Sequence, residues 1–547
     1  MHGIEVILGL LLAVALLAWA ASRLRISYPS LLVIGGLAIG FLPGIPRLGL
    51  RPDVVFLVFL PPILYYAALL TSWRDFKANL RPISLLAIGL VLFTTCCTAV
   101  VAHWLIDGMG WATAFVLGAI ISPPDAVAAT SVTQRMRVPR RIITILEGES
   151  LVNDAAALIA YRVAIAVVAG TTVFGGKISF GEGLSFAGGT AVRFVVVAAG
   201  GVAIGLLAGL VIAWIRPRLR DPSVEAAVSL LTPYVAYLPA EWLHLSSVLA
   251  VVTCGLYIAR RLNQITTPRV RLRAFATWET VVFLLNGLIF VLIGLQLPQV
   301  IAGLDGVPLS RAIFYAAVVS VVAIAVRMAW VFPATYLPRM LSRTLRERDP
   351  AAPWRNVFVI AWTGMRGIVS LAAALALPLT LADGVTPFPR RDLIIFITFG
   401  VILVTLVLQG LTLPAVIRWL RFEQVPDDAD DEEVTARYLG ALAAVERLDN
   451  LTALGTSASE RLGRVRATYD ERVAYYSRRL TPDGNGDGAG ESDPVSLACQ
   501  TGEQIEREAL AAERQMIVRL RDQGVIGDEV LRRIQEELDH EESRLED

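Results

Sequence analysis

The chain has 547 residues, 55% of them hydrophobic and 18% charged, with a mean hydropathy of +0.61; a soluble protein carries about 25% charge, so a purely soluble globule is excluded as the first reading. The net charge of +1 hides a split, because from Phe422 onward there are 15 Lys and Arg against 30 Asp and Glu, and residues 1–421 hold 34 against 18. Arginines set between apolar runs are topology signals, so the basic body does not read as a nucleic-acid surface.

Apolar runs near the roughly 20 residues a helix needs to cross a bilayer fall at 4–22, 27–46, 53–71, 83–106, 112–132, 142–169, 190–215, 223–242, 245–259, 277–300, 311–336, 353–380 and 392–420. Thirteen spans are predicted, with twelve as the alternative because the ninth is short and the second contains Gly and Pro. The first reads as a retained span and not a cleaved signal: Ala18-Trp19-Ala20 has a cleavage-like form, but no Lys or Arg precedes the run, and Arg23 and Arg25 follow it. Alternate loops are basic, from Arg23 and Arg25 through Arg135, Arg137, Arg140 and Arg141 to Arg339, Arg343, Arg346 and Arg348. The opposite loops hold only Arg47, Arg51, Lys177, Arg390 and Arg391. The positive-inside rule then places the N-terminus outside and the tail in the cytoplasm.

Two parts are expected, a transmembrane domain over 1–421 and an acidic helical tail over 422–547. The segment Thr481 to Pro494, TPDGNGDGAGESDP, reads as a flexible linker. After Glu503, apolar positions at Ile505, Leu510, Met516, Ile517 and Leu520, broken by Gly524 and Gly527, predict two amphipathic helices joined by a turn. Cys96, Cys97, Cys254 and Cys499 show no paired metal-ligand spacing.

Ionisable groups inside a membrane are functional candidates, since a charge near a helix centre costs about 2.5–3.5 kcal/mol even on insertion scales. Asp125 in GAIISPPDAVAATSV, Glu149 and Asp154 in ILEGESLVNDAAALIAYR, and Arg366 in WTGMRGIVSLAAALALP qualify. At 1.5 Å per residue, Asp154 lies roughly 18 Å from Ile142 and Arg366 roughly 20 Å from Pro353, both near the midplane of a core about 30 Å thick. Residues four apart share a helix face, so Glu149 stacks with Asn153 and Ser150 with Asp154. One stripe can meet a partner such as Arg366, and the other presents hydroxyl and carboxylate oxygens to a site. Pro123 and Pro124 remove backbone donors in mid-span and should unwind the helix beside Asp125, freeing carbonyls for a cation. Gly364 and Gly367 flank Arg366 as the corresponding soft point. His103 and His244 read as packing or interfacial residues, and Arg162 and Arg327 receive no transport role, Arg327 being close enough to a span end to snorkel.

GAIISPPDAVA, EGESLVNDAAAL and GMRGIVSLAAALALP, in this order, resemble the bacterial sodium/proton exchanger branch of the monovalent cation/proton antiporter family. FLPPILYYAALLTSWRDFKANLRPI (Phe59 to Ile83) and RLRDQGVIGDEVLRRIQEELD (Arg519 to Asp539) extend the resemblance. It implies an all-α protein of the bacterial inner membrane with two inverted six-helix repeats, crossed discontinuous fifth and twelfth spans, and a separate dimerisation domain, hence a homodimer. It further implies Asp154 as the principal cation and proton carboxylate, Asn153 as its neighbour, Asp125 and Ser150 around the Na+ site, and Glu149 paired with Arg366. No cofactor or enzymatic activity is implied. Many relatives have an acidic residue where this chain has Tyr66, which leaves the choice among Na+, K+ and Li+ open.

The chemistry follows from the residues. A desolvated carboxylate favours its neutral form and a bound cation its ionised form, so Na+ and H+ compete for Asp154. With Asn153 unable to titrate, alternating exposure gives electroneutral exchange. An intramembrane hydrolase is the first alternative, suggested by Gly148-Glu149-Ser150 and the two aspartates, but no His lies at comparable depth to serve as base. A cation channel is the second, and no repeated carbonyl-lined filter loop is evident.

Overall fold

In the computed structural model, the described residues are 2–24, 27–42, 52–133, 136, 138–169, 183–219, 221–304, 306–349, 352–381, 385–422, 428–453, 459–480 and 500–544. The predicted linker at 481–494 and Cys499 lie outside them. The described residues are helical apart from connections and one isolated antiparallel bridge between Thr380 and Pro387. Their order is α1 His2–Leu24, α2 Tyr28–Gly40, α3 Pro52–Leu70, α4 Leu80–Leu105, α5a Trp111–Ile121, α5b Ala126–Thr133, α6 Arg140–Val168, α7 Gly183–Ile215, α8 Pro222–Trp242, α9 Ser247–Ile265, α10 Pro268–Leu295, α11 Leu309–Leu341, α12a Trp354–Trp362, α12b Ile368–Leu375, α13 Arg391–Leu420, and in the tail α14 Asp428–Ala453, α15 Ser459–Leu480, α16 Gln500–Gln523 and α17 Asp528–Arg544.

Each predicted apolar run overlaps one of these helices, and two runs are each split into a pair of short ones. Among the described residues, seven helical stretches are long and apolar enough to cross a bilayer: Pro52–Leu70, Leu80–Leu105, Arg140–Val168, Phe194–Arg218, Val270–Ala302, Leu309–Leu341 and Arg391–Leu420. Leu8–Leu24, Tyr28–Gly40 and Trp111–Ile121 are apolar and shorter. Three of the long stretches contain a π turn, at Val55–Phe59, Leu85–Leu90 and Thr405–Gln409. Such turns loosen the backbone ladder, and side chains from other helices supply donors there. Trp330 Nε1 donates to the Leu85 carbonyl at 3.0 Å and Ser30 Oγ to that of Leu406 at 2.8 Å.

The chain divides into two compact units, Met1–Ile265 with Thr277–Phe422, and Thr266–Ala276 with Glu423–Asp547. The second unit thus takes in a stretch that the sequence leaves inside 1–421. In that unit α14 to α17 bury Ala436, Leu448, Leu510, Ile517 and Ile534. Asp539 is buried and accepts from Arg271 Nε at 2.7 Å and Arg514 Nη2 at 2.8 Å. Gly524 stops α16 with φ +83°, a left-handed conformation that glycine adopts without a Cβ penalty.

Candidate functional site

The site forms where two helices of the first unit lose their backbone ladder. Residues Ser122 to Asp125 separate α5a from α5b, and Thr363 to Gly367 separate α12a from α12b. Pro123 and Pro124 have no N–H to continue the ladder, which leaves acceptors at the end of α5a. Arg366 Nε donates to the Ile121 carbonyl at 3.0 Å, and Asn153 Nδ2 to the Pro124 carbonyl at 2.8 Å. The two breaks meet directly, for Asp125 N donates to the Met365 carbonyl at 2.6 Å. The Arg366 guanidinium also contacts the Gly364 carbonyl, and its backbone N–H donates to Thr405 Oγ1 at 3.0 Å.

The half-helix ends are matched in charge. Carbonyl ends are partially negative and amide ends partially positive. Arg366 sits on the carbonyl end of α5a, and Arg327 donates to the Ile360 carbonyl near the end of α12a at 3.0 and 3.1 Å. Asp125 Oδ1 accepts from Val127 N at 2.9 Å, capping the amide end of α5b. The glycines at the second break make room for these groups. A Cβ on Gly364 would lie 2.5 Å from Arg327 Cδ, and one on Gly367 would lie 1.9 Å from Asp125 Oδ2.

Glu149 departs from the sequence expectation. Its carboxylate forms a two-pronged pair with Arg327, at 2.5 and 2.8 Å, and not with Arg366. The physical reason lies in the acceptors: the unwound breaks expose carbonyls that engage Arg366, while α11 carries Arg327 to the Glu149 face of α6. Both members are almost wholly buried, at 1% and 2% side-chain exposure. Arg327 is therefore the group that sequence reasoning missed. An arginine within an apolar run was the available signal.

Asp154 is buried at 6% exposure, and no described residue hydrogen-bonds its carboxylate. Asp125 is near enough to act on it electrostatically. Asn153 is fully buried, and its Oδ1 has no hydrogen-bond partner among the described residues. Ser150 is one turn from Asp154 on α6 and makes no hydrogen bond within the described structure. The crossing thus gathers Glu149, Asp125 and Asp154 with Arg327 and Arg366, one carboxylate more than guanidiniums. A buried charge without a partner is costly, so this arrangement favours a cation or a proton at Asp154.

The remaining candidates lie elsewhere. Tyr66 on α3 stacks on Trp278 with centroids 6.0 Å apart, so this position packs an aromatic ring between α3 and α10. His103 stacks on Trp111 at 4.1 Å and its Nδ1 lies 2.7 Å from the Met109 carbonyl. Arg162 pairs with Glu241 at 3.0 Å near the ends of α6 and α8.

Residues 10–419 match the family described as "Sodium/hydrogen exchanger, transmembrane". A protein of Mycobacterium tuberculosis named as an uncharacterized Na(+)/H(+) exchanger is 37% identical over 99% of this chain and 96% of its own. A sodium, potassium, lithium and rubidium/H(+) antiporter of Bacillus pumilus is 35% identical over 75% of this chain and 61% of its own. The fold is shared with the sodium proton antiporter MjNhaP1 of Methanocaldococcus jannaschii, with a TM-score of 0.57 and 19% identity over 77% of this chain and 99% of that one. With a match across three-quarters of its length, on the segments that build the crossing, the chain is a multi-pass membrane protein of the sodium/hydrogen exchanger family.

Proposed function

We propose that the protein is a secondary antiporter that exchanges an alkali cation, Na+ foremost, for H+ in a one-for-one electroneutral cycle at Asp154. The observation that carries this reading is the buried Asp154 carboxylate, which no described residue hydrogen-bonds, set beside Asp125 where α5 and α12 cross. Na+ and H+ each neutralise one negative charge, so exchanging them at an alternately exposed carboxylate moves no net charge. Asp125 completes the Na+ site. Asn153 holds the unwound strand through the Pro124 carbonyl and turns its free Oδ1 to the cation. The name of the Bacillus relative speaks for acceptance of K+ and Li+ as well.

The same reading gives thirteen membrane crossings in two inverted six-helix repeats, a homodimer in the bacterial inner membrane, an outside N-terminus and a cytoplasmic tail. The alternation of basic loops supports the orientation, and the family likeness supports the repeats and the dimer. The test is purified protein in liposomes, with proton movement driven by each alkali cation at several pH values. An imposed voltage should leave the initial rate of Na+-driven proton movement unchanged; voltage-driven net charge movement, with the proton gradient clamped and leak subtracted, refutes the one-for-one cycle.

Gly367→Ala is expected to suppress exchange with little loss of protein from the membrane. The added methyl group would occupy the place of the Asp125 carboxylate and push it from the crossing. Unchanged cation affinity and rate in this variant would show that Asp125 does not need its present position.

A further inference from the structure

Arg81, Arg141 and Arg339 converge on one carboxylate, Asp349, at the arginine-bearing end of the first unit. Arg141 Nη2 reaches Asp349 Oδ1 at 2.8 Å, Arg339 Nη2 reaches Oδ2 at 2.6 Å, and Arg81 Nη1 lies 3.8 Å from Oδ2. Although burial opposes it, hydrogen bonding and charge from these arginines hold the Asp349 carboxyl below the usual carboxylate range. Asp349 is then a fixed single negative charge facing three guanidiniums. Arg339 is fully engaged, because its Nε and Nη1 also serve the Asp349 and Thr335 carbonyls. Arg81 is not. Its Nη2 is buried and has no hydrogen-bond partner among the described residues.

Arg81 lines a cavity of about 60 Å³. The three arginines, with Thr335 and Asn356, form its polar side, and Leu86, Ile145 and Ile360 are among the apolar residues that line it. A buried donor left without an acceptor is costly, and arginine matches phosphate oxygens in geometry as well as charge. Trp354, two residues before the cavity-lining Asn356, packs edge to face on Trp419 at 6.2 Å, and the two are 50% and 67% exposed. Exposed tryptophans at helix ends are typical of a membrane–water interface.

We propose that this cavity is a binding site for the phosphate of an anionic glycerophospholipid in the leaflet that meets the basic loops. The phosphate oxygens accept from Arg81 Nη2 and balance the excess positive charge, and the acyl chains leave along the apolar wall. The apolar lining and the tryptophans favour a lipid over free phosphate, and basic pockets between membrane helices suit such headgroups.

The test is thermal unfolding of the full-length protein in detergent, with phosphatidylglycerol, phosphatidylcholine or inorganic phosphate added, and native mass spectrometry for bound lipid. Phosphatidylglycerol should raise the unfolding temperature of the wild type by mass action, with one retained lipid adduct. Phosphatidylcholine and phosphate should not. Arg81→Gln and Ala334→Phe should each abolish the adduct and most of the shift; the second keeps every charge and fills the cavity, which Ala334 also lines. Arg343→Gln, altering a side chain 86% exposed outside the cavity, should retain both. Equal responses of the wild type and Ala334→Phe to phosphatidylglycerol overturn the site, and a shift of the same size with inorganic phosphate or phosphatidylcholine overturns the anionic lipid as its occupant.

Discussion

Asp154→Asn will reduce cation-driven proton movement in proteoliposomes to the level of protein-free vesicles. The amide keeps the size of the side chain but cannot release a proton or carry the charge that holds a cation. Because no described residue hydrogen-bonds the Asp154 carboxylate, the substitution breaks no ion pair and removes the desolvation cost of a buried charge. Thermal stability should therefore be equal to that of the wild type or higher. This combination of lost transport and retained stability separates a transport carboxylate from a structural one. Residual Na+-driven proton flux above background would move the exchange chemistry to another group.

Arg327→Met is expected to have the opposite profile in stability. Removing one member of a buried pair leaves the other charge uncompensated, at a cost of about 3–5 kcal/mol. Here the stranded group would be Glu149, which Arg327 meets at two points. The Ile360 carbonyl would lose its donors too. The double variant Glu149→Gln with Arg327→Met should recover most of the lost stability, since neither charge then remains buried alone. Thermal unfolding of the two variants checks this directly. An Arg327→Met protein as stable as the wild type, or a double variant no better than the single one, would deny the pair its structural weight.

The crossing was largely legible because its chemistry violates the local pattern. Consecutive prolines and a carboxylate inside an apolar run announced the break at Ser122 to Asp125, and glycines around a buried arginine announced the one at Thr363 to Gly367. The partner of Glu149 was not legible. Helical periodicity tells which residues share a face of α6 but not which arginine faces them, and Arg327 stood near the expected end of its span at residue 336. The helix runs through Pro333 and Pro338 to Leu341, which puts roughly 21 Å of helix between Arg327 and that end. A span that ends at residue 336 leaves Arg327 close enough to its end to snorkel; one that continues to Leu341 does not. The amphipathic pattern after Glu503, broken by Gly524 and Gly527, correctly suggested two helices, whereas nothing in the chain's periodicity indicated that Thr266–Ala276 would group with the tail.

The ties across the crossing also bear on how the protein can move. Arg366 links α12 to α5a, the Asp125 N–H links α5 back to α12, Asn153 links α6 to the same break, and Arg327 fastens α11 to both α6 and α12a. Each helix is held to at least one other by a polar contact that would be expensive to leave unmade in a buried setting. Opening the site by parting these helices would break several such contacts at once. The lower-cost motion carries α5, α6, α11 and α12 together with the carboxylates as passengers, and with α13, tied through Thr405 to the Arg366 N–H, and α4, tied through Leu85 to Trp330, moving alongside them.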